Sequence, residues 1–315
     1  MINNNIKKIQ RKIDTDLANI YNIGPERLVE TFNYVMIGKG KRIRPLLTLL
    51  TSKSLFGDYK KSYNAALAIE ILHNFTLVHD DIMDNDTIRH GKKTVHEKWD
   101  TSTAILLGDA MLAKSINILS DSKYSQNLIK SFNKALLSVC EGQALDKEFE
   151  NKQNINEKDY FEMIEKKTSN LIAMPIEIGA LAYDYPLKDA KKLFNFGLFI
   201  GKAFQIQDDF LEIISSTEIM KKSLDSDILL GKQTYPIILC NKKNKNFIRT
   251  LIKNNKNTKT IIAEIRKFIL ENKLDIKIKE KIENLYLEAN NCIQTIDFQS
   301  NDLLNFVNKI KIRKK

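Results

Sequence analysis

Proline and glycine are both scarce in this 315-residue chain, at five and eleven copies. Proline breaks helix interiors, so its rarity leaves room for long helices and favours an all-helical protein before any motif is read. The three cysteines, Cys140, Cys240 and Cys292, lie far apart in no C-x-x-C arrangement. That excludes a disulfide framework or a zinc site and points to a reducing, cytoplasmic setting, with Cys140 expected in the core. No uninterrupted apolar run reaches the ~18 residues of a membrane span. The opening MINNNIKKIQRKID has no apolar run of signal-peptide length. No Gly/Ser/Pro-rich linker divides the chain, so residues 1–315 are expected to form one domain.

Basic residues outnumber acidic ones, 50 Lys and Arg against 39 Asp and Glu, for a formal charge of +11. A basic surface can bind nucleic acid, but no nucleic-acid motif appears. Lysine and asparagine are simply abundant, as in 241–260 (NKKNKNFIRTLIKNNKNTKT), and solvate a surface. No nucleic-acid partner is expected.

Two segments carry the strongest helical pattern. Residues 64–84 place Ala65, Ala68, Ile69, Leu72 and Phe75 at helical spacing. Residues 188–214 are apolar over much of the circumference, as in a buried central helix. Gly197 and Gly201 stand i, i+4 inside it, and because glycine weakens a helix interior, close helix packing accounts for the pair. Residues 104–118, 127–150 and the tail from 258 read as further helices, and 215–231 as a polar loop.

Each of these two helices ends in an acidic cluster. The first is Asp80-Asp81-Ile82-Met83-Asp84 and the second Asp208-Asp209-Phe210-Leu211-Glu212. On a helix Asp80 and Asp84 share a face, as do Asp208 and Glu212. Carboxylates this close repel one another, and burying them beside apolar residues without partners is costly. Magnesium resolves the conflict, since it binds through one or two carboxylates plus phosphate oxygens. Basic segments recur around the clusters: GKGKRIRP at 38–45, IRHGK at 88–92, Lys167-Thr168, and GKQTYP at 231–236. Arginine forks and lysine point charges are the usual partners of a diphosphate.

Taken in order, these segments resemble the trans-isoprenyl diphosphate synthase (polyprenyl synthetase) family from about residue 38 to 236. GKGKRIRP is similar to its Gly-Lys-x-x-Arg-Pro segment. ILHNFTLVHDDIMDND with IRHGKKTVH is similar to its first aspartate-rich motif. EGQALDKEFE, EKKTSNL, FQIQDDFLEI and DILLGKQTYP match its Gly-Gln, Lys-Thr, second aspartate-rich and Gly-Lys-x-Thr-x-Pro segments.

The resemblance implies an all-α, single-domain bundle of antiparallel helices around a deep cavity, usually a homodimer. It implies a prenyltransferase that joins an allylic diphosphate to isopentenyl diphosphate. Asp80, Asp84 and Asp208 would be the principal ligands of three magnesium ions, helped by Asp81, Asp209 and Glu212. Arg89, Lys167, Thr168, Lys222 and Lys232 would hold the allylic diphosphate with Gln205 nearby. Lys41, Arg44, His73 and the residue at 90 would hold isopentenyl diphosphate. The Arg313-Lys314-Lys315 tail is similar to family C-termini that help close the site.

Several positions depart from the family pattern. His90 replaces a second arginine, which implies weaker isopentenyl diphosphate binding that improves below about pH 6.5 if the imidazole is unperturbed. Glu212 replaces an aspartate, and Lys221 and Asp225 replace glycines. Phe75, five residues before Asp80, and Thr76, one turn before it, are the candidate chain-length residues. By resemblance an aromatic at that place goes with products of fifteen to twenty carbons, geranylgeranyl diphosphate favoured over farnesyl diphosphate. A class I terpene cyclase shares the aspartate-rich motif but has no need of a second diphosphate site. Asp146 and Glu150 are read as structural polar groups, as is His79 in its simplest reading.

Overall fold

The computed structural model describes residues 2–38, 40–150, 152, 155–214, 232–254 and 257–312. Among these the only strands form one two-residue hairpin, and the rest of the regular structure is helical. In chain order the helices are α1 Ile2–Ala18, α2 Glu26–Met36, α3 Ile43–Phe56, α4 Tyr63–Met83, α5 Val95–Lys98, α6 Thr101–Ser120, α7 Ser125–Glu150, α8 Glu157–Ile164, α9 Asn170–Leu181, α10 Leu187–Ile214, α11 Tyr235–Lys243, α12 Phe247–Asn254, α13 Thr258–Glu271, α14 Leu274–Cys292 and α15 Asp302–Lys311. A π turn, Glu165–Ser169, joins α8 to α9. The fold is that of an all-α bundle, as the sequence implies. Lys222, Lys221 and Asp225, the 215–231 loop, and the Arg313–Lys315 tail lie outside the described residues.

The chain resolves into two compact units. The first is Met1–Asn133 with Pro175–Ala190 and Asp297–Phe306; the second is Lys134–Met174, Lys191–Ile296 and Val307–Lys315. In the first unit α4 is the core helix. Its residues Ala65 to Leu72 are buried without a break, between α3 and α6. The unit's late segment is tied back to α3. The N–H of Gln299 donates to the Ser54 carbonyl at 2.7 Å, Leu303 N–H donates to Ser54 Oγ at 2.9 Å, and Lys53 pairs with Asp302 at 2.9 Å. Closing so long a loop costs entropy that rises only slowly with its length, and burial offsets it. Glycine permits part of it: a Cβ at Gly179 would stand 2.4 Å from the Thr48 carbonyl oxygen.

Among the described residues α6 is the one helix long and apolar enough to cross a membrane by length and composition, yet only 33% of that window is buried. Ile105 and Leu106 on it are 44% and 64% exposed.

In the second unit α10 is the counterpart of α4, with Leu193, Phe196, Ile200, Ala203 and Ile206 wholly buried. Its two internal glycines do what their spacing implies. A Cβ at Gly197 would lie 2.5 Å from Ala173 Cα, and one at Gly201 would lie 2.4 Å from Ser169 Cα. The backbone of α9 and of the π turn therefore rests directly on α10. Cys140 is not in the core: it is exposed on α7. That helix buries Phe132, Ala135, Val139 and Gln143 at three- and four-residue intervals, and position 140 points off that stripe.

A methyl group at either notch must move backbone, and overpacking costs about 1–3 kcal/mol. The better helix propensity of alanine returns only ~1 kcal/mol. Gly197→Ala and Gly201→Ala are expected to lower the urea midpoint at unchanged m-value; a midpoint equal to wild type in both would show that the close approach is not required.

Candidate active site

The basic segment before α3 is sorted by its backbone. Arg42 adopts φ +51° at the helix start and turns its side chain inward. Nη2 donates to the carbonyls of Met36 (2.9 Å) and Gly38 (2.7 Å), Nη1 to Glu70 Oε1 (2.8 Å), and Nε to Asp14 Oδ1 (2.8 Å). The loop is wrapped around this guanidinium. Lys41 is left exposed, and Arg44 stands on the first turn of α3. Arg44 Nη1 lies 3.0 Å from His73 Nε2 on α4. Burial, together with the charges of Arg44, Arg89, His90 and Arg42, presses His73 well below its usual range, so the ring is neutral. An arginine can only donate. Nε2 therefore accepts, and the proton sits on Nδ1, a buried donor with no partner among the described residues.

At the far end of α4, Asp84 is the C-cap and its N–H donates to the Asp80 carbonyl at 2.9 Å. The helix thus carries Asp80, Asp81 and Asp84 at its negative end, where carboxylates are disfavoured and cations favoured. Asp81 is buried and paired with Arg89 Nε, while Arg89 Nη2 donates to Asp86 at 3.0 Å. Burial raises Asp81 to about 6 against the opposing pull of Arg89. Arg89 is aimed by a tight hairpin, β1 Ile88–Arg89 against β2 Lys92–Lys93, whose two turn residues, His90 and Gly91, both have positive φ (51° and 77°). That pair of left-handed residues is what a two-residue hairpin turn of matching twist demands. His90 itself is exposed at the tip.

The candidate chain-length residues sit one to two turns earlier. Phe75 is buried and packs on the His79 ring with centroids 4.7 Å apart; Thr76 Oγ1 donates to the His73 carbonyl at 2.7 Å. His79 turns toward α6, where a Cβ on Gly108 would come within 2.1 Å of its Nε2. It acts as a packing residue between the two helices.

The second unit assembles the other residues around a cavity of about 130 Å³ lined by Asp146, Lys167, Thr168, Gln205, Asp209, Glu212 and Lys232, among others. The π turn aims Lys167 and Thr168 into it. Such turns widen the helix locally and recur at functional sites. Here Gly142 makes room: a Cβ there would lie 2.2 Å from the Lys167 nitrogen. Lys167 Nζ pairs with Asp146 at 2.5 Å, and Thr168 Oγ1 donates to Gln205 Oε1 at 2.9 Å. Asp209 is buried and accepts from Gln205 Nε2 (2.8 Å), the Tyr160 phenol (2.7 Å) and the Tyr235 N–H (3.1 Å). Burial raises it to about 6, against those three donors. Asp208 and Glu212, one turn apart, are half-buried.

The expected residues thus fall into two groups, one in each unit: Lys41, Arg44, His73, Asp80, Asp81, Asp84 and Arg89 in the first, Lys167, Thr168, Gln205, Asp208, Asp209, Glu212 and Lys232 in the second. Reading the sequence missed Tyr160 and Tyr235 and treated Asp146 as merely structural. Tyr160, seven residues before Lys167, carries no motif signal. Among the described residues no group of three or more metal-ligating side chains is gathered in one place. The donor set fits magnesium nonetheless. It is all oxygen, with pairs of carboxylates one turn apart, and magnesium takes one or two carboxylates and fills the rest with water and phosphate.

Residues 25–269 match the family model described as "Polyprenyl synthetase". The chain belongs to the polyprenyl synthetase family. It is a prenyltransferase, a trans-isoprenyl diphosphate synthase that condenses isoprenoid diphosphates. The chain is 42% identical over 218 residues, 68% of each chain, to geranylgeranyl pyrophosphate synthase of Geoglobus acetivorans. It is 40% identical over 235 residues, 74% of this chain and 71% of the relative, to the short chain isoprenyl diphosphate synthase of Methanocaldococcus jannaschii. Among solved structures, geranylgeranyl pyrophosphate synthetase from Pyrococcus horikoshii matches with a TM-score of 0.90 at 30% identity, over 99% of this chain and 98% of that one.

Removing one partner of a buried pair leaves an uncompensated charge, at about 3–5 kcal/mol. Arg42→Ala strands Glu70, so it is expected to destabilise the synthase by that much and to release the 36–42 loop. Arg42→Ala/Glu70→Ala should recover part of the loss. Equal urea midpoints for wild type and Arg42→Ala would remove the guanidinium as the organiser of this loop.

Proposed function

We propose that the enzyme joins isopentenyl diphosphate head-to-tail to an allylic diphosphate, with magnesium, and releases a product of fifteen to twenty carbons, geranylgeranyl diphosphate favoured. The observation that carries this reading is a pair of cationic centres, one described in each unit. One is Arg44 with the unpartnered Nδ1–H of His73, in the first unit. The other is Lys167 and Lys232 around the cavity of the second. A prenyl condensation needs two diphosphate sites, whereas a terpene cyclase needs one.

In this reading Lys167, Thr168 and Lys232 hold the allylic diphosphate, with Arg89 beside the first acidic cluster. Asp80, Asp84, Asp208 and Glu212 are the residues that would hold magnesium, three ions by family resemblance. When bound, magnesium supplies charge neutralisation to the departing diphosphate, where each ~1.4 kcal/mol is tenfold in rate. Arg44 and the His73 Nδ1–H, with Lys41, hold isopentenyl diphosphate, exchanging a bimolecular encounter for a positioned one. The proton lost from the new cation goes to the departed diphosphate, so no side chain is required as base. Buried apolar residues such as Phe75 exclude water that would quench the cation, and Phe75 limits chain growth.

We assign the same reading a homodimer, supported by the half-exposed apolar face of α6 at Ile105 and Leu106. A reducing, cytoplasmic setting is supported by three free cysteines.

The decisive assay is product analysis with labelled isopentenyl diphosphate and each allylic primer, with and without magnesium. Chain elongation that EDTA abolishes is expected; cyclised products with no incorporation of label would favour a cyclase. In the same assay Phe75→Ala should lengthen the product, and an unchanged distribution would remove Phe75 as the stop.

His90 adds a pH dependence. Partial desolvation at the hairpin tip first, then the charges of Arg89, Arg42 and Lys41, hold its imidazole below 6.5, so the titration expected near 6.5 moves to lower pH. The protonated ring exists only below that folded-state value. The ratio of the isopentenyl diphosphate KM of wild type to that of His90→Arg is therefore expected to exceed one at pH 7 to 8 and to shrink as pH falls below 6.5. A ratio independent of pH removes His90 from the binding site.

A further inference from the structure

The hydrogen bonds around Asp209 form a chain through four segments. Tyr160 on α8 and the Tyr235 N–H at the start of α11 both donate to Oδ2. Gln205, one turn earlier on α10, donates to Oδ1, and Gln205 in turn accepts from Thr168 of the π turn. A carboxylate offers about four lone-pair sites. At Asp209 three are filled by protein donors, and the side chain is buried. Asp208 beside it is half-buried, and Asp209 and Glu212 both line the cavity. Tyr160 is 1% exposed, with its ring against Phe161 and Tyr235 at 5.7 and 5.6 Å. Burial and the carboxylates of Asp209 and Asp208 raise its phenol well above the usual range, which keeps it a donor.

We propose that Asp209 is an internal anchor rather than a magnesium ligand, and that Tyr160 is the positioning residue that holds it. This departs from the family-based expectation for Asp209. It rests on the reading of the second acidic cluster as a metal site. Through the anchor, the turn of α10 that carries Asp208 and Glu212 is fixed to the π turn that carries Lys167 and Thr168. The carboxylates that would take the metal and the cations that would take the phosphate are thereby held in one register. A metal site whose supporting hydrogen bond is lost binds its ion less tightly without losing its fold.

The test is calorimetric binding of inorganic diphosphate to the full-length protein, with and without Mg2+, alongside urea unfolding and the KM for isopentenyl diphosphate. Tyr160→Phe is expected to weaken Mg2+-dependent diphosphate binding by about 10–100-fold, with the KM for isopentenyl diphosphate unchanged. Asp209→Asn keeps an oxygen that accepts from Tyr160 and Tyr235, so its loss should be no larger. Asp208→Asn should abolish the Mg2+-dependent binding. The anchor is overturned if Asp209→Asn abolishes binding as Asp208→Asn does, which would make Asp209 a ligand. It is also overturned if Tyr160→Phe binds as wild type, or if Tyr160→Phe weakens both diphosphate and isopentenyl diphosphate in parallel with a collapsed unfolding transition. An Asp208→Asn protein that binds as wild type overturns the underlying metal-site reading, and the anchor with it.

Discussion

Carboxylates set into apolar helices have to be neutralised, and this requirement organises most of the site. α4 and α10 are among the most buried helices of the chain, and each carries an acidic cluster near its end. In both clusters the second aspartate is buried and committed to protein donors: Asp81 to Arg89, Asp209 to Tyr160, Gln205 and the Tyr235 N–H. Both are held near 6 because burial disfavours the charge more than those partners favour it. The flanking members, Asp80 with Asp84 and Asp208 with Glu212, are half-buried. The division of labour follows from helix geometry. Positions i and i+4 share one face, and the residue beside the first turns about 100° away, toward the protein.

The basic residues show the same division, imposed by backbone rather than by helix phase. Arg42 and Arg44 are two positions apart in one basic run. Arg42 has φ +51° and reaches into the protein to satisfy Glu70 and two loop carbonyls, while Arg44 lies on regular helix and meets His73. The family resemblance singles out Arg44, but no local pattern in GKGKRIRP shows that Arg42 turns inward, because its partner Glu70 lies 28 residues away. The long helices, their apolar faces, the acidic clusters and the purpose of Gly197 and Gly201 were legible, because each depends on local periodicity or on a residue type with one strong property. Asp146, Tyr160 and Tyr235 were not. Each acquires its role through a partner on another helix: Lys167 for Asp146, Asp209 for the two tyrosines. Cys140 was misread for a related reason. α7 is amphipathic, and one residue of phase separates the buried Val139 from the exposed thiol.

The π turn shows how precision is obtained without rigid loops. Lys167 and Thr168 belong to a widened turn between two helices, and a widened turn is softer than regular helix. Its position is fixed from three sides of the second unit. Gly142 on α7 lets the Lys167 backbone approach, Gly201 on α10 admits Ser169, and Thr168 is hydrogen-bonded to Gln205. Two of the three constraints are the absence of a side chain, so the turn is located by close backbone contact. The third runs through Gln205 to Asp209, and so to the acidic cluster. The acidic turn of α10 and the cations of the π turn are therefore connected through one chain of hydrogen bonds. Transition-state stabilisation by fixed charges depends on where those charges stand relative to one another far more than on their absolute position.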